Sequence, residues 1–265
     1  MITKEHLLST AKYKASPNQS GEIKPVFIVM HYTAGWSEES AIATLTNPNS
    51  NASAHVVVGW DGTITQLVPF NKKAWHAGPS RYEGYSGLNS YSIGIEIVNP
   101  GYLRKTTAGN FIDAYGRKHV LGQNGFTDVV EAPHQRVGSG TFYWPAYKTK
   151  QLDAVEHLSK LLIAEYNIRD IVSHEEIDTR GWKTDPGPAF PMNRFKALLR
   201  ERGTGLLPYE VISDTPLNIR LGPGVKFKID GQYVKGTIVN VEEFKGDWAR
   251  ISSSHWVHRA YLRKI

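Results

Sequence analysis

The stretch from Pro25 to Thr33, PVFIVMHYT, is an almost continuous apolar run with a histidine near its end. A run of this kind predicts a β-strand that is covered on both faces, as in a sheet with helices packed against it. His31 therefore lies at a strand end, where side chains from neighbouring strands of one sheet can converge.

Both β-type and helical patterns surround this strand. The pair Asp61-Gly62 joins two β-type runs and is a strong signal for a hairpin turn. Thr149 is placed to cap the N-terminus of a long helix. Together the patterns predict an α/β fold with a mixed central β-sheet flanked by helices. In chain order the predicted elements are a hairpin over Ala54 to Pro69, a strand over Tyr91 to Asn99, a helix over Thr149 to Tyr166, a strand ending at His174 and a short helix over Met192 to Arg202.

A second domain follows the short helix. The segment from Glu201 to Pro208, ERGTGLLP, contains the Gly-Thr-Gly and Pro that are typical of a linker. Short β-type runs separated by Gly-rich turns come next and predict a small all-β barrel. We therefore expect two domains, residues 1–202 and residues 208–265. The predicted strands of the second domain lie in Leu217 to Arg220, Tyr233 to Phe244, Asp247 to Ile251 and His255 to Leu262.

Composition excludes several kinds of site and partner. The chain has 265 residues and no cysteine, so any metal must be held by His, Asp or Glu. No window reaches the roughly 20 apolar residues that span a bilayer, and we expect a soluble protein without a signal peptide. The net charge of +6 predicts an anionic partner. The basic residues are dispersed, which argues against nucleic acid, and bacterial wall polymers are also anionic.

The loop IVSHEEIDTRGWKTDPGPAF, residues 171–190, brings together His174, Lys183 and Asp185. Its simplest interpretation is a solvated turn, because Gly, Pro, Asp and Thr are common turn residues. A single histidine at a strand end is also more often structural than a ligand. Two such histidines, His31 and His174, together with one aspartate leave a fourth tetrahedral position open. That pattern is typical of a catalytic zinc site.

A carboxylate on the strand Tyr91 to Asn99 adds to this pattern. Strand alternation sends Ile93, Ile95 and Ile97 to one face and Glu96 to the other. An exposed strand carboxylate is the simpler interpretation of Glu96. If the two histidines meet on the same face as Glu96, this residue becomes the candidate base for a zinc-bound water.

Five motifs in this order resemble the zinc-dependent N-acetylmuramoyl-L-alanine amidases of the AmpD-like type. They are VMHYTAG, SAHVVVGWDGTITQLVP, AWHAG, SIGIEIVN and KTDPGP, and the resemblance covers roughly residues 26–200. These amidases share their fold with peptidoglycan-recognition proteins. The resemblance implies zinc ligands at His31, His174 and Asp185, a catalytic carboxylate at Glu96 and an oxyanion-stabilising ammonium at Lys183. It also implies hydrolysis of the amide bond between N-acetylmuramic acid and L-alanine in peptidoglycan.

The chain departs from the family pattern at several points. Ala54 precedes His55 where phage lysozymes of this type carry a tyrosine, which leaves Glu96 as the candidate base. The interval from His174 to Asp185 is longer than the family pattern, and Trp182 stands where a basic residue is usual. The segment of residues 102–147 has no counterpart in the family pattern, and a long insertion beside a site often binds substrate.

Several aromatic and imidazole side chains are candidates for substrate binding. Trp75 and His76 in AWHAG, with Tyr32 and Trp36 near the first ligand, are predicted to line a sugar-peptide groove. Trp75 is about as easily explained as a core residue, because tryptophan buries a large apolar area. We expect His55 to be a buried, hydrogen-bonded residue of a strand and not a fourth ligand.

The C-terminal region resembles a bacterial SH3-type wall-binding module. The resemblance rests on the LNIR and GPG opening and the final W-V-x-x-x-Y-L, and it covers roughly residues 217–262. Residues 207–265 carry nine Lys or Arg against six Asp or Glu. This excess and the aromatic residues Trp248, Trp256 and Tyr261 favour a tether to polymeric wall, although each aromatic could instead fill the barrel core.

Three functions are consistent with these patterns. The first is a zinc amidase that cuts peptidoglycan, which a complete set of ligands, base and oxyanion donor favours. The second is a non-catalytic peptidoglycan-recognition protein, which a missing third ligand would indicate. The third is a basic nucleic-acid binder, whose affinity would fall steeply with salt. For the amidase we expect synthesis in the cytoplasm and action on the cell wall, as for a phage lysin or a protein exported by another route.

Overall fold

The computed structural model of the protein describes residues 1–123, 126–203, 207–241, 243–251 and 255–264. The chain divides into two compact units, Met1–Ala197 and Leu198–Ile265. Parts of three sequence predictions lie outside the described residues: residues 204–206 of the linker, residues 124 and 125 of the insertion, and residue 242 of a predicted strand. Within the described part, no helix is both long and apolar enough to cross a membrane.

The first unit is built from short strands and a few helices. Its helices are α1 Glu38–Leu45, α2 Thr149–Glu165, α3 His174–Ile177 and α4 Met192–Gly203, the last of which continues into the second unit. Short 3-10 turns cover Pro48–Ser50 and Leu88–Ser90. Its strands are β1 Lys12–Tyr13, β2 Gln19–Glu22, β3 Phe27–Tyr32, β4 Val56–Val58, β5 Ile64–Gln66, β6 Lys72–Ala74, β7 Arg81–Tyr82, β8 Tyr85–Ser86, β9 Ser92–Ile97, β10 Arg104–Lys105, β11 Phe111–Ile112, β12 Lys118–His119, β13 Val129–His134, β14 Gly138–Pro145 and β15 Asp170–Ser173.

A six-stranded mixed sheet in the order β1-β5-β4-β9-β3-β15 forms the centre of this unit. Strands β4, β9, β3 and β15 pair in parallel, whereas β5 pairs with β4 as an antiparallel hairpin. The predicted mixed sheet and the predicted hairpin at Asp61-Gly62 are therefore confirmed. Strand β3 lies between two neighbours and is almost completely buried, as its apolar run requires.

The register of β3 against β9 decides which side chains share a face. His31 pairs with Glu96, and Met30 pairs with Ile95. Because side chains alternate along a strand, His31 and Glu96 lie on one face of the sheet and Met30 and Ile95 on the other. The isoleucine face is fully buried, and each buried side chain of this size contributes roughly 1.5–3 kcal/mol.

Helix α2 begins one residue earlier than its predicted cap requires. The helix starts at Thr149 itself, and Lys148 occupies the N-cap position. The side chain of Gln151 accepts a hydrogen bond from the backbone N–H of Lys148 at 3.0 Å. The prediction of Thr149 as the cap was wrong because a glutamine in the first turn satisfies this end of the helix.

The insertion of residues 102–147 is an ordered β-structure over its described residues. Strands β10, β11 and β12 form one antiparallel sheet, and β13 and β14 form a hairpin. Leu103, Phe111 and Phe126 make a small apolar core, against which Trp36 and Tyr143 pack. The insertion thus has its own apolar core, and that core is completed by Trp36, which lies outside the insertion and precedes α1.

Beyond the end of α4, the described residues of the second unit form strands, turns and loops. This unit has a three-stranded and a five-stranded sheet around a core that includes Val211, Val239 and Val257. A 3-10 turn covers Arg259–Tyr261. The strands are β16 Leu207–Val211, β17 Leu217–Arg220, β18 Ile229–Tyr233, β19 Ile238–Val241, β20 Glu243–Lys245, β21 Trp248–Arg250, β22 Trp256–His258 and β23 Leu262–Lys264.

Two expectations for this unit are corrected by the structure. The run from Tyr233 to Phe244 is not one strand, because a turn at Lys235 and Gly236, with Gly236 at φ 84°, separates β18 from β19. Trp256 is only 8% exposed and belongs to the interior, so it is no candidate for contact with a polymer. Tyr261 is exposed, and Trp248 is half-buried.

Candidate functional site

Three buried side chains meet at the end of the central sheet. The Nδ1 atoms of His31 and His174 are 3.0 Å apart, and Oδ2 of Asp185 lies 2.9 Å from the first and 2.8 Å from the second. His31 belongs to β3, and His174 is the first residue of α3, directly after the neighbouring parallel strand β15. Asp185 comes from the loop that follows α3. The structure thus brings together the three predicted ligands.

The donor set of this cluster fits a metal ion. Among the described residues, His31, His174 and Asp185 are the group whose ligand atoms could hold one. Burial lowers the pKa of His31 to about 4, helped by the neighbouring His174, so its imidazole is neutral at pH 7. Burial alone would raise the pKa of Asp185, but its hydrogen bonds and charge contacts with His174 and His31 hold that pKa well below its usual range. A neutral imidazole at His31 and an ionised carboxylate at Asp185 are the protonation states that zinc ligands need.

A buried carboxylate orders the loop that carries Lys183 and Asp185. Asp178 stands at the C-cap of α3, and its Oδ2 accepts the backbone N–H groups of Trp182 and Lys183 at 3.0 Å each. Its Oδ1 accepts from Nε of Arg180 at 3.1 Å. The sequence analysis assigned no role to Asp178, and its only signal was an aspartate among turn residues.

Glu96 lies beside the cluster, on the same face of the sheet as His31. Its Oε2 is buried and has no hydrogen-bond partner among the described residues. Burial raises the pKa of Glu96 well above its usual range, the charge of Asp185 adds to this rise, and Lys183 opposes it. The side chains of Glu96, Lys183 and Asp185 line one cleft. This cleft therefore combines a proton acceptor, a cation and the candidate metal cluster.

Three of the four predicted substrate-binding residues also line this cleft. They are Tyr32, Trp75 and His76. The hydroxyl of Tyr32 is hydrogen-bonded to that of Thr184, next to Asp185. Trp75 is half-buried, and its Nε1–H donates to Oγ of Ser20 at 3.3 Å. His76 differs from the other two because its Nδ1 lies 3.0 Å from Nε2 of His31.

The fourth residue, Trp36, lies elsewhere. Its indole stacks on Trp60 at 5.8 Å between ring centroids, and its Nε1 lies 3.1 Å from Nε2 of His119 in the insertion. Trp36 lines a separate pocket that it shares with Arg117 and His119. The structure therefore places Trp36 with the insertion and not with the candidate metal cluster.

A second groove begins at Glu96 and is bordered by the insertion. Its lining includes Ser37 and Ser40 of the α1 region and Tyr115 and Arg117 of the insertion. Asp113, which is buried, accepts the Nε–H of Arg117 at 2.7 Å and so holds its guanidinium in place. Sequence reasoning suggested that the insertion contacts substrate but did not single out these side chains.

His55 is a structural residue, as expected. It is fully buried, and its Nε2 lies 2.9 Å from the carbonyl oxygen of Lys72. The backbone N–H of Gly94 donates to its Nδ1 at 3.0 Å. Both ring nitrogens are thus occupied by the backbone, and His55 takes no part in the candidate metal cluster.

Comparison with known families agrees with this geometry. The family model for N-acetylmuramoyl-L-alanine amidase matches residues 21–188, a range that includes the cluster, Glu96 and Lys183. The chain belongs to this amidase family. The resemblance seen in the sequence motifs is therefore confirmed at the level of the family.

Individual relatives cover the same region. The chain is 31% identical over 190 residues to the N-acetylmuramoyl-L-alanine amidase AmiD of Escherichia coli K12, which is 68% of this chain and 54% of AmiD. It is 33% identical over 148 residues to the 1,6-anhydro-N-acetylmuramyl-L-alanine amidase AmpD of Salmonella typhimurium LT2, which is 56% of this chain and 57% of AmpD. The chain thus spans about half the length of the curated relatives it matches. In three dimensions it is similar to a selenomethionine derivative of AmpD, with a TM-score of 0.51 and 26% identity over 75% of this chain and 99% of that one.

Proposed function

We propose that the protein is a zinc-dependent amidase that hydrolyses the bond between N-acetylmuramic acid and L-alanine in peptidoglycan or its fragments. Membership of the family supports the reaction class, and the names of the relatives AmiD and AmpD describe this activity for those proteins. The observation that carries the proposal is the convergence of His31, His174 and Asp185 within 3.0 Å of one another beside Glu96.

In this proposal His31, His174 and Asp185 hold the metal through Nδ1, Nδ1 and Oδ2. A zinc ion at that point supplies Lewis acidity, which lowers the pKa of a water ligand toward about 7 and polarises the scissile carbonyl. The protein contributes a set of ligands that are buried and already close together. This arrangement reduces the cost of collecting three ligands around one ion.

Glu96 acts as the general base. Its carboxylate takes a proton from the attacking water and passes it to the leaving amine, a role typically worth roughly 10²–10⁴-fold in rate. Burial keeps the pKa of Glu96 high, and the charge of a bound dication would lower it again. These opposing effects suit a group that must both accept and release a proton near neutral pH.

Lys183 stabilises the oxyanion of the tetrahedral intermediate. Its side chain lines the cleft next to Asp185, and its charge already acts on the pKa of both His31 and Glu96. One well-placed donor to an oxyanion is worth roughly 2.7–4 kcal/mol. The backbone of Lys183 is held on both sides, because its N–H bonds Asp178 and its carbonyl accepts from Arg136 at 2.9 Å.

Substrate binding is assigned to the two depressions that meet at Glu96. Tyr32 and Trp75 offer aromatic surface in the cleft that holds the metal cluster, where a sugar ring can stack. Tyr115 and Arg117 border the second groove, and the guanidinium favours an anionic part of the muropeptide. In this assignment the insertion of residues 102–147 takes part in substrate binding.

The second unit is proposed to be an SH3-type wall-binding domain, with residues 1–202 as the catalytic domain and residues 208–265 as the binding domain. Its all-β architecture, its excess of basic residues and its exposed Val225, Phe227 and Tyr261 support this proposal. Exposed apolar side chains near cations suit a polymer that carries both apolar and anionic groups.

The test is digestion of purified sacculi and of soluble muropeptides, with the new ends identified by mass spectrometry. We expect free L-alanine amino termini and intact muramic acid carboxyl groups, loss of the activity in a strong chelator and recovery with zinc. Full activity after exhaustive metal removal, checked by elemental analysis, would refute the zinc mechanism. Binding without cleavage by the zinc-loaded protein would instead identify a recognition protein.

A further inference from the structure

His76 contacts the metal cluster from behind, through the far side of His31. Nδ1 of His31 faces His174 and Asp185, whereas its Nε2 lies 3.0 Å from Nδ1 of His76. The two rings are perpendicular, with an interplanar angle of 88° and a centroid distance of 5.1 Å. Each ring nitrogen of His31 therefore has its own partner.

Metal binding fixes the direction of the hydrogen bond between these rings. A histidine that binds a metal through Nδ1 must keep the Nδ1 lone pair free, so the neutral ring carries its proton on Nε2. Nε2–H of His31 then donates to Nδ1 of His76. A neutral His76 that accepts at Nδ1 must in turn carry its own proton on Nε2.

Ser92 provides the acceptor for that second proton. Its Oγ lies 3.3 Å from Nε2 of His76, and its own hydroxyl donates to the carbonyl oxygen of Leu88 at 2.6 Å. The chain from His31 through His76 and Ser92 to Leu88 thus has one donor and one acceptor at every step. Every N–H and O–H group in this series of hydrogen bonds therefore has an acceptor, and no two donors face each other.

The backbone around His76 holds the ring in this position. His76 is 8% exposed, and the backbone N–H groups of His76 and Ala77 both donate to Oδ1 of Asn89, at 2.9 and 2.7 Å. Gly94, on β9, leaves the space that the ring fills: a Cβ there would lie 2.5 Å from Cγ of His76. A buried ring with fixed backbone contacts has little freedom to turn away from His31.

We propose that His76 is a positioning residue for the metal site. Its ring fixes the tautomer and the orientation of the His31 ring, and Ser92 in turn holds the ring of His76. His76 lines the cleft, but both of its ring nitrogens are engaged, Nδ1 by His31 and Nε2 by Ser92. The inference rests on the proposed metal site and adds to it a residue that touches neither metal nor substrate. Partners of this kind typically change metal affinity 10–100-fold.

Among the described residues, His174 has no equivalent support. Its Nε2 is buried and has no hydrogen-bond partner there. The support of the two metal histidines is therefore unequal, and the effect of losing His76 cannot be compensated by a second relay. This asymmetry makes His76 the position at which the inference is tested most directly.

The experiment measures the zinc dissociation constant of the full chain by competition with a chromophoric chelator. His76→Leu keeps a similar volume but removes the acceptor, and we expect a 10–100-fold weaker affinity. His76→Asn places an amide oxygen near the position of Nδ1, and we expect it to recover most of this loss. Ser92→Ala removes the hydroxyl but keeps the backbone carbonyl of Ser92, 3.5 Å from Nε2 of His76, and should have a smaller effect in the same direction.

His55→Leu is the matched control. His55 is also buried, and its ring centroid lies 5.7 Å from that of His76, but its hydrogen bonds go to the backbone and not to His31. We expect His55→Leu to lower the free energy of unfolding while leaving zinc affinity close to wild type. An equal loss of affinity in both leucine variants would overturn the inference, because it would reflect general destabilisation.

A measurement on the wild-type chain gives an independent check. Long-range ¹H–¹⁵N NMR of the zinc-loaded protein should show His76 protonated on Nε2 and unprotonated on Nδ1. A proton on Nδ1 of His76, or wild-type affinity in His76→Leu, would overturn the inference and leave the proposed function intact. A wild-type chain that does not bind zinc would overturn both.

Discussion

The candidate site has two halves that are held in place by different means. The sheet half consists of His31 on β3 and Glu96 on β9, which are paired in the strand register and lie on the same face of the sheet. The loop half consists of His174, Lys183 and Asp185, which follow β15. Backbone hydrogen bonds of the sheet position the first half, whereas a few side-chain hydrogen bonds position most of the second.

This difference determines where a substitution acts. A residue on a central strand keeps its place when its side chain changes, because the strand ladder does not depend on that side chain. The loop half depends on Asp178, whose carboxylate accepts the N–H groups of Trp182 and Lys183. We therefore expect changes in the sheet half to affect chemistry, and changes in the support of the loop half to affect stability and metal binding together.

The largest effect is expected in the sheet half, from Glu96→Gln. The amide has nearly the same shape but cannot act as a base, so turnover should fall roughly 10²–10⁴-fold while zinc content is unchanged. Turnover on a soluble muropeptide and metal analysis of the purified variant measure the two quantities. Near-normal turnover would place the base elsewhere in the cleft.

A smaller effect, of a different kind, is expected from Asp178→Asn. The amide has one acceptor oxygen instead of two, so it can accept only some of the hydrogen bonds that the carboxylate accepts. We expect a loss of about 1–3 kcal/mol in the free energy of unfolding together with weaker zinc binding. Urea unfolding of the metal-free protein and chelator competition test the two parts. Zinc affinity equal to wild type would mean that the loop half does not depend on Asp178.

Asp113→Asn is the control for this prediction. Asp113 is a similarly buried carboxylate that accepts the backbone N–H groups of Tyr115 and Arg117, but it lies in the insertion. We expect a comparable loss of stability without a loss of zinc affinity. If both variants lost affinity equally, the distinction between the loop half and other buried turns would be wrong.

The pKa of Asp178 sets the pH range of the same effect. Burial would raise this pKa, but the N–H groups of Lys183 and Trp182 and the side chain of Arg180 outweigh burial and lower it to about 2. Because the pKa is lower in the folded protein than the roughly 3.9 of an unfolded chain, the stabilisation is complete above about pH 4. It is lost as the pH falls toward 2, so the metal-free wild type and Asp178→Asn should converge in stability over that interval.

The smallest effect on chemistry is expected from a chain that ends at Gly203. This truncation removes no residue of either half, so turnover on a soluble muropeptide should stay close to that of the full chain. Binding to sacculi should fall, because a tether raises the effective concentration of enzyme at an insoluble substrate. Unchanged binding to sacculi would mean that the second unit has another role. Loss of both turnover and binding, together with a lower free energy of unfolding, would mean that the second unit is part of the catalytic fold.

Local sequence patterns predicted most of the sheet half. The apolar run of residues 25–33 indicated a buried strand, and the alternation of Ile93, Ile95 and Ile97 placed Glu96 on the opposite face. Both inferences depend only on the period of two residues along a strand, which the sequence shows directly. The order of the family motifs added the loop half, because a turn without a regular period carries no comparable local signal.

Contacts between distant segments were decided by the tertiary structure alone. The hydrogen bond between His31 and His76 joins residues 45 positions apart in the chain. The ring of His76 fits there because Gly94, on a third segment, has no side chain. The same holds for the folding of the insertion onto Trp36 and for the support of Lys183 by Arg136. The sequence by itself determines which residues form strands and which face each strand buries, because periodicity is a local property. Which side chains then meet depends on strand register and on packing between segments, and these are properties of the folded chain as a whole.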